Sequence, residues 1–518
     1  MGLFKSKELE QARAEIAKLK NNCRTLAAER DKLSAEVQRL RNRIAELENP
    51  AEKPVEKPVE RVKTERAFNG ITLTREQNTT FELLENTDKN YFVTGKAGTG
   101  KSTVLNYFRT HTKKKGVAVV SLTGSAALNV DGQTIHSLFR MDLEPQDTKS
   151  KSKVNTAPMV LDTLKAINVL IIDEVSMVRA DIMDMIDARL RLAKEKDVPY
   201  GGCQVIAFGD LYQLPPIATD RVEKEFIVNR YGTLFFFGAP AVKQTFKIVE
   251  LVEVLRQKDN EFVKLLNNVR DGRISEQDVK YLNEHCGHDV PDNCLRVVLT
   301  KDAAKTINME KLAQINSKEY FYETELGGDS PPNKEDMPFD FELRLKVGAR
   351  VMMTRNDTTM KYINGSIGTV TKLTKDSVEV QIAGKKYDIE QSVWTKKIYH
   401  KVGGELVSEV VGWAKQYPIR LAYAITVHKS QGQTYDNVVI DYSGKKAFAA
   451  GQTYVALSRC RTLSGIYLTR PLTLQDIYAD KEVLEYMGIK PVQKPVSTRM
   501  TGDRRLPAWL EDAENLPF

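Results

Sequence analysis

Tyr91-Phe92-Val93-Thr94-Gly95-Lys96-Ala97-Gly98-Thr99-Gly100-Lys101-Ser102 is the stretch from which the rest of the chain can be read. Tyr91 to Thr94 read as a buried strand. The loop Gly95 to Ser102 then matches G-x4-G-K-[ST], and the run from Val104 to Phe108 reads as a helix. A glycine-rich loop between strand and helix can wrap its backbone N–H groups around phosphates. The pattern therefore predicts that Gly95, Lys96, Ala97, Gly98, Thr99, Gly100, Lys101 and Ser102 cradle the phosphates of a nucleoside triphosphate. Lys101 would reach the β/γ-phosphates and Ser102 would ligate Mg²⁺. Further on, Val169-Leu170-Ile171-Ile172 runs into Asp173-Glu174. A buried strand tip with two carboxylates places Asp173 at Mg²⁺ and Glu174 where it can orient or deprotonate water. Together the two segments imply hydrolysis of a nucleoside triphosphate.

Around this centre the chain is 518 residues long, too many for one compact domain. Apolar residues make up 41% and charged residues 28%, an ordinary globular balance that excludes wholesale disorder. No apolar run approaches the ~20 residues of a membrane helix, and a signal-peptide core is not expected. Five scattered cysteines suit a reducing compartment. The formal charge of +8 permits nucleic acid without arguing for it. From about Phe68 to Ile489, apolar runs alternate with amphipathic helices, the pattern of an α/β fold.

The remaining motifs resemble a helicase of superfamily one, B branch, most closely the Pif family, with RecD as a more distant relative. Matching blocks run in order from about Leu73 to Thr469. Thr74-Arg75-Glu76-Gln77 resembles the upstream glutamine motif, in which Gln77 reads adenine. The block Leu122 to Phe139 resembles the first DNA-contact motif, which implies strand contacts by Thr123, Thr134 and His136. Pro199 to Gly202, and Gly209 to Ile217, resemble the family signature and coupling motif, with Gln213 sensing the γ-phosphate. Leu255-Arg256-Gln257 fits the fourth motif, with Arg256 on the γ-phosphate, although relatives often carry Phe where Leu255 stands. Ala424 to Thr434 matches the fifth motif and brings His428 and Lys429 to DNA. Tyr454 to Thr462 matches the sixth, with Arg459 as arginine finger. Cations supplied from an opposite lobe make physical sense, because they can stabilise transition-state charge as the lobes close.

The resemblance implies two RecA-like P-loop motor domains with a small inserted Src-homology-3-like β-barrel. The expected divisions are a coiled coil (1–48), a Pro/Lys/Glu linker (49–67), the first motor domain (68–242), the second (243–355 and 417–485), the barrel (356–416) and a tail (486–518). It also implies an ATP- and Mg²⁺-dependent helicase moving 5′→3′ on single-stranded or forked DNA, in replication, repair, recombination or telomere maintenance. A cytoplasmic, nucleoid or nuclear setting suits that work. In the barrel region, Trp394, Trp413 and Tyr399 are either core residues or base-stacking platforms.

The ends carry separate signals. Leu9, Ala12, Ile16, Leu19, Cys23, Leu26, Arg30, Leu33, Val37, Leu40, Ile44 and Leu47 occupy successive a and d positions. Such a seam calls for a partner strand, so self-association through residues 9–47 is expected. The final residues, Trp509 to Phe518, are acidic and end in Leu-Pro-Phe. They resemble the tip of bacterial single-stranded-DNA-binding proteins, which implies docking on a replication or repair partner. These ends also admit another reading, a DNA-stimulated ATPase that displaces proteins or scaffolds a complex.

Overall fold

The computed structural model describes residues 67–489, apart from 69, 70, 143, 219, 258, 292, 293, 335, 336, 358, 360, 404 and 443–445. The heptad segment 9–47, most of the linker and the acidic end lie outside the described residues. No helix among the described residues is long and apolar enough to cross a membrane.

Two parallel sheets carry the molecule. In the first, the strands lie in the order Gln133–Thr134, Val117–Ser121, Val169–Asp173, Gln204–Phe208, Tyr91–Gly95, Lys247–Leu251. Every neighbouring pair is parallel. The four inner strands are almost wholly buried, as their Val/Ile-rich runs require when helices cover both faces. The second sheet has the order Ala424–Thr426, Leu295–Val298, Val438–Asp441, Ile466–Leu468, again all parallel.

The last strand of the first sheet corrects the expected boundary at 242. Lys247–Leu251 pairs with the P-loop strand along its whole length, so the first lobe runs on to Leu251. It is an edge strand with Lys247, Ile248 and Glu250 exposed, so its sequence looks like surface.

The inserted region also exceeds the expected 356–416. A five-stranded antiparallel sheet joins Lys385–Ile389, Val378–Ile382, Ile367–Leu373, Arg350–Met353 and Ile419–Leu421 in that order. Two of its strands, Arg350–Met353 and Ile419–Leu421, lie on either side of the expected limits because the strands entering and leaving the insertion pair with each other. Its core comprises residues such as Val351, Met353, Val370, Val380 and Ile419.

A long hairpin, Ser392–Val402 with Glu405–Gln416, rises from this region. Trp394 is a core residue, packed against Phe339 with ring centroids 4.4 Å apart. The Trp413 ring lies so close over Gly327 that a Cβ there would come within 2.4 Å of it. Tyr399 reaches the first lobe: its hydroxyl accepts from Val119 N (3.2 Å), and its own N–H donates to Gln133 Oε1 (3.1 Å).

Candidate nucleotide cleft and nucleic-acid face

The P-loop sits where its sequence places it, between the strand Tyr91–Gly95 and the helix Lys101–His111. Gly98 has φ +87°, and a Cβ there would lie 2.5 Å from the Arg256 Cβ. Only glycine combines that backbone with so close an approach. Leu255 N donates to Gly98 O (2.9 Å), so the fourth-motif segment is laced directly to the loop. Lys101 Nζ donates to Gly95 O (2.7 Å) and Lys96 O (3.1 Å). Burial lowers its ammonium pKa, with Asp210 and Glu174 opposing.

Asp173 and Glu174 end the central strand beside Lys101. Burial, then the charge of Glu174, raises Asp173 to about 7, with Lys101 among the opposing influences. Burial likewise raises Glu174, against Lys101 and Arg459. Glu174 has φ 51°, a left-handed conformation that a non-glycine residue holds only when its surroundings enforce it. The half-buried carboxylates of Asp173 and Glu174, and the hydroxyl of Ser102 next to Lys101 in sequence, are hard oxygen donors of the kind Mg²⁺ takes.

The second lobe enters this cleft through Gln431, Tyr454, Arg270 and Arg459. Gln431 Nε2 donates to Glu174 Oε2 (3.0 Å) and to Gln213 Oε1 (2.8 Å). Gln213 Nε2 donates in turn to Asp210 Oδ2 (3.4 Å). The Tyr454 hydroxyl accepts from the P-loop amide of Ala97 (2.9 Å) and donates to Asp210 Oδ2 (3.3 Å). The other oxygen of Asp210 pairs with Arg270 Nη2 (3.2 Å), whose guanidinium lies 3.9 Å over the Tyr212 ring. Gly451 (φ +77°) allows this approach: a Cβ there would stand 2.2 Å from Gln213 O.

Arg459 is fully buried and held by carbonyls: Nε donates to Val455 O (2.8 Å), and Nη1 to Ser430 O and Gln433 O (both 3.2 Å). Burial, then the charge of Arg256, lowers its pKa, while Glu174 is among the groups opposing that shift. Arg256 Nη1 donates to Ser458 O (3.3 Å). Its segment directly follows the edge strand of the first sheet, so Arg256 stands at the junction of the lobes. Gln77 stands beside the P-loop, held by protein backbone. Its Oε1 accepts from Thr74 N in a capping box, and its Nε2 donates to Thr99 O (3.2 Å), so both ends of the amide brace protein backbone.

The expected nucleic-acid contacts lie at the carboxyl ends of strands in both lobes, where ligands of parallel α/β sheets are usually met. Thr123 and Thr134 each cap a short helix, accepting from Ala126 N and Ser137 N. His136 sits two residues beyond Thr134; burial lowers its pKa, as does Arg179. In the second lobe Thr426 caps the turn that carries His428 and Lys429. Burial lowers both, with Lys301 adding to each. Lys429 is solvent-accessible yet crowded by protein, and with Arg420 and Lys301 beside it its ammonium falls to about 8.

The two lobes repeat this arrangement. Leu122-Thr123-Gly124-Ser125-Ala126-Ala127 answers to Leu299-Thr300-Lys301-Asp302-Ala303-Ala304, and Thr134-Ile135-His136 to Thr426-Val427-His428. The pairings Ser121↔Thr134 and Val298↔Thr426 put both sets in the same register. Thr300, which lies outside the recognised motifs, therefore stands where Thr123 stands in the first lobe. Alignment of the chain with itself around Leu-Thr-x-x-Ala-Ala carries the signal.

A model of the PIF1-like helicase family matches residues 72–280, and one of the UvrD-like helicase C-terminal domain matches residues 421–467. The ATP-dependent DNA helicase Pif1 of Bdellovibrio bacteriovorus is 32% identical over 422 residues, covering 80% of this chain and 92% of that protein. The chain belongs to the PIF1-like helicase family. The ATP-dependent DNA helicase PIF1 of Xenopus laevis is 32% identical over 391 residues, and this chain spans 58% of its length. Among solved structures, a Bacteroides Pif1 in complex with ADP-AlF4 is 37% identical, with TM-score 0.75 over 80% of this chain and 96% of that one. The same helicase bound to single-stranded DNA gives 0.58. As in these PIF1-like relatives, the two parallel sheets are two RecA-like motor domains.

Proposed function

We propose that the chain is an ATP-dependent DNA helicase that moves 5′→3′ along single-stranded DNA in replication, repair or recombination. The observation that carries this reading is the Gln431 bridge, which joins Glu174 and Gln213 of the first lobe to the loop holding His428 and Lys429. One loop thus faces both the catalytic carboxylate and the nucleic-acid side, the wiring a motor needs. ATP binds at Gly95–Ser102 and is hydrolysed by water held at Glu174. Ser102 and Asp173 would hold Mg²⁺, which would supply charge neutralisation for the phosphates. Arg256 and Arg459 meet the γ-phosphate as the lobes close, and Gln213 reports its loss. Thr123, Thr134, His136, His428 and Lys429 grip the strand in alternation. The polarity and pathway rest on the family resemblance, and the work on forks is supported by a 37% identical structure that gives the basis for DNA unwinding at forked duplex DNA by two coordinating Pif1 helicases.

Residues 9–47 associate with a second copy, and the tip ending in Phe518 docks on a replication or repair protein. Duplexes with a 5′ or a 3′ single-stranded tail test the core of this reading. Unwinding of the 5′-tailed substrate alone is expected. Unwinding only from the 3′ tail overturns the polarity, and DNA-stimulated hydrolysis without unwinding points instead to a protein-displacing remodeller. Light scattering of a chain lacking residues 1–48 should show a smaller species with ATPase intact.

A further inference from the structure

The helicase cycle makes no use of Tyr454, yet its hydroxyl reaches the P-loop backbone from the second lobe. It accepts from Ala97 N at 2.9 Å and donates to Asp210 Oδ2 at 3.3 Å. Asp210 belongs to the coupling motif and is anchored from a third direction by Arg270. Tyr454, Asp210 and Arg270 are all buried, at 3%, 1% and 4% exposure. A polar bridge in so dry a place is directional and intolerant of displacement, because each group left without its partner bears the full desolvation cost. Tyr454 also lies just over one helical turn before Arg459, on the helix Gln452–Leu457 whose end leads into it. A shift of that helix therefore moves the Arg459 guanidinium and the P-loop contact together.

We infer that Tyr454 is a positioning residue that couples the two lobes: its hydroxyl locks the P-loop to the coupling motif, so that hydrolysis and lobe movement occur as one event. The ring itself fills space between the lobes, but the ring alone cannot do this. A phenyl group would pack equally well while leaving Ala97 N and Asp210 Oδ2 to separate solutions, and the lobes free to slip past the nucleotide site. The inference rests on the helicase reading, and its test is arranged to separate the two.

The test is Tyr454→Phe in the full chain, compared with the unsubstituted protein on a 5′-tailed duplex and on an oligothymidylate. Loss of one charge-assisted hydrogen bond predicts a fall of about tenfold in DNA-stimulated kcat. The KM for ATP should move less than about threefold, because no contact to the nucleotide is removed. Base pairs opened per ATP hydrolysed should fall as well. That ratio does not depend on the folded fraction, so partial unfolding of the variant cannot imitate the result. Unchanged kcat and an unchanged ratio would overturn the inference, as would a rise in KM at constant kcat, which would make the hydroxyl a part of the binding site only. If the unsubstituted protein itself shows no DNA-stimulated hydrolysis, the helicase reading fails instead.

Discussion

Two of the regions that tie the first lobe to the rest of the motor are made of different material. In the nucleotide cleft the ties are withdrawn from solvent: Tyr454 to Ala97 and Asp210 and Arg270 to Asp210 are buried, and Gln431 to Glu174 and Gln213 is half-buried. Where the hairpin meets the first lobe, most ties are exposed ion pairs. Lys397 meets Asp131 at 2.6 Å, Lys401 meets Asp162 at 3.9 Å and Glu405 meets Lys115 at 3.9 Å. Buried polar bonds fix geometry and fail badly when one partner is lost, whereas exposed pairs contribute about 0–1 kcal/mol and fade with salt. The cleft is thus built to be exact about a nucleotide, and the hairpin contact to be released at little cost. Substitutions in the two places should differ accordingly.

The largest effect is expected at Lys101. Its Nζ is held by the P-loop carbonyls of Gly95 and Lys96, with the charges of Asp210 and Glu174 acting on it. Lys101→Ala should lower ATP turnover on the order of a thousandfold. Single-stranded DNA binding, followed by fluorescence anisotropy, should change only a few-fold, because the proposed strand contacts lie elsewhere on the lobes. Normal turnover would remove the site assignment.

Next comes the charge beneath Tyr454. Asp210→Asn leaves the buried Arg270 without its nearest carboxylate, and breaking such a pair costs roughly 3 kcal/mol. Asp271 and Glu250, 3.5 and 3.9 Å from the guanidinium, keep the loss toward the lower end of that range. A denaturant titration that finds no loss would mean the pair contributes no net stability. Gln431→Ala should act on rate more than on stability: about a tenfold fall in DNA-stimulated kcat, from loss of the hydrogen bonds that connect Glu174 to the loop of His428 and Lys429. A stopped-time ATPase assay with and without oligothymidylate would register it, and an equal fall in both conditions would break the connection.

These partners also mark the limit of what local sequence can convey. The P-loop and Asp173-Glu174 were legible because their chemistry is local: strand, loop and helix follow one another within a few residues. Tyr454, Asp210, Arg270 and Gln431 sit inside or near recognisable motifs, but each acts on a residue far away in the chain, and no periodicity carries that pairing. Gln77 is a like case: its motif was visible, but the bond to Thr99 O that holds it beside the P-loop was not. The lobe boundary was missed because Lys247–Leu251 lies at a sheet edge, where Lys247, Ile248 and Glu250 are exposed and the residues do not alternate as a half-buried strand would. The pairing of Thr300 with Thr123 could have been found from the repeated Leu-Thr-x-x-Ala-Ala alone.

The smallest effects belong to the hairpin, and they sharpen the comparison because one of its bonds is not like the others. Tyr399→Phe removes the acceptor for Val119 N, which belongs to a buried residue where the first-sheet ladder ends. About 1 kcal/mol of stability should go with it, largely independent of salt. Lys397→Ala should cost less than about 0.5 kcal/mol at physiological ionic strength, because Asp131 is exposed and keeps Arg109 at 3.2 Å. That small cost should vanish by about 0.5 M salt, where screening acts over only a few ångströms. Denaturation of both variants at low and high salt therefore decides what holds the hairpin. A salt-dependent loss for Tyr399→Phe, or a large salt-independent one for Lys397→Ala, would show that the contact is as rigidly built as the cleft. The contrast between the two regions would then fail at its weaker side.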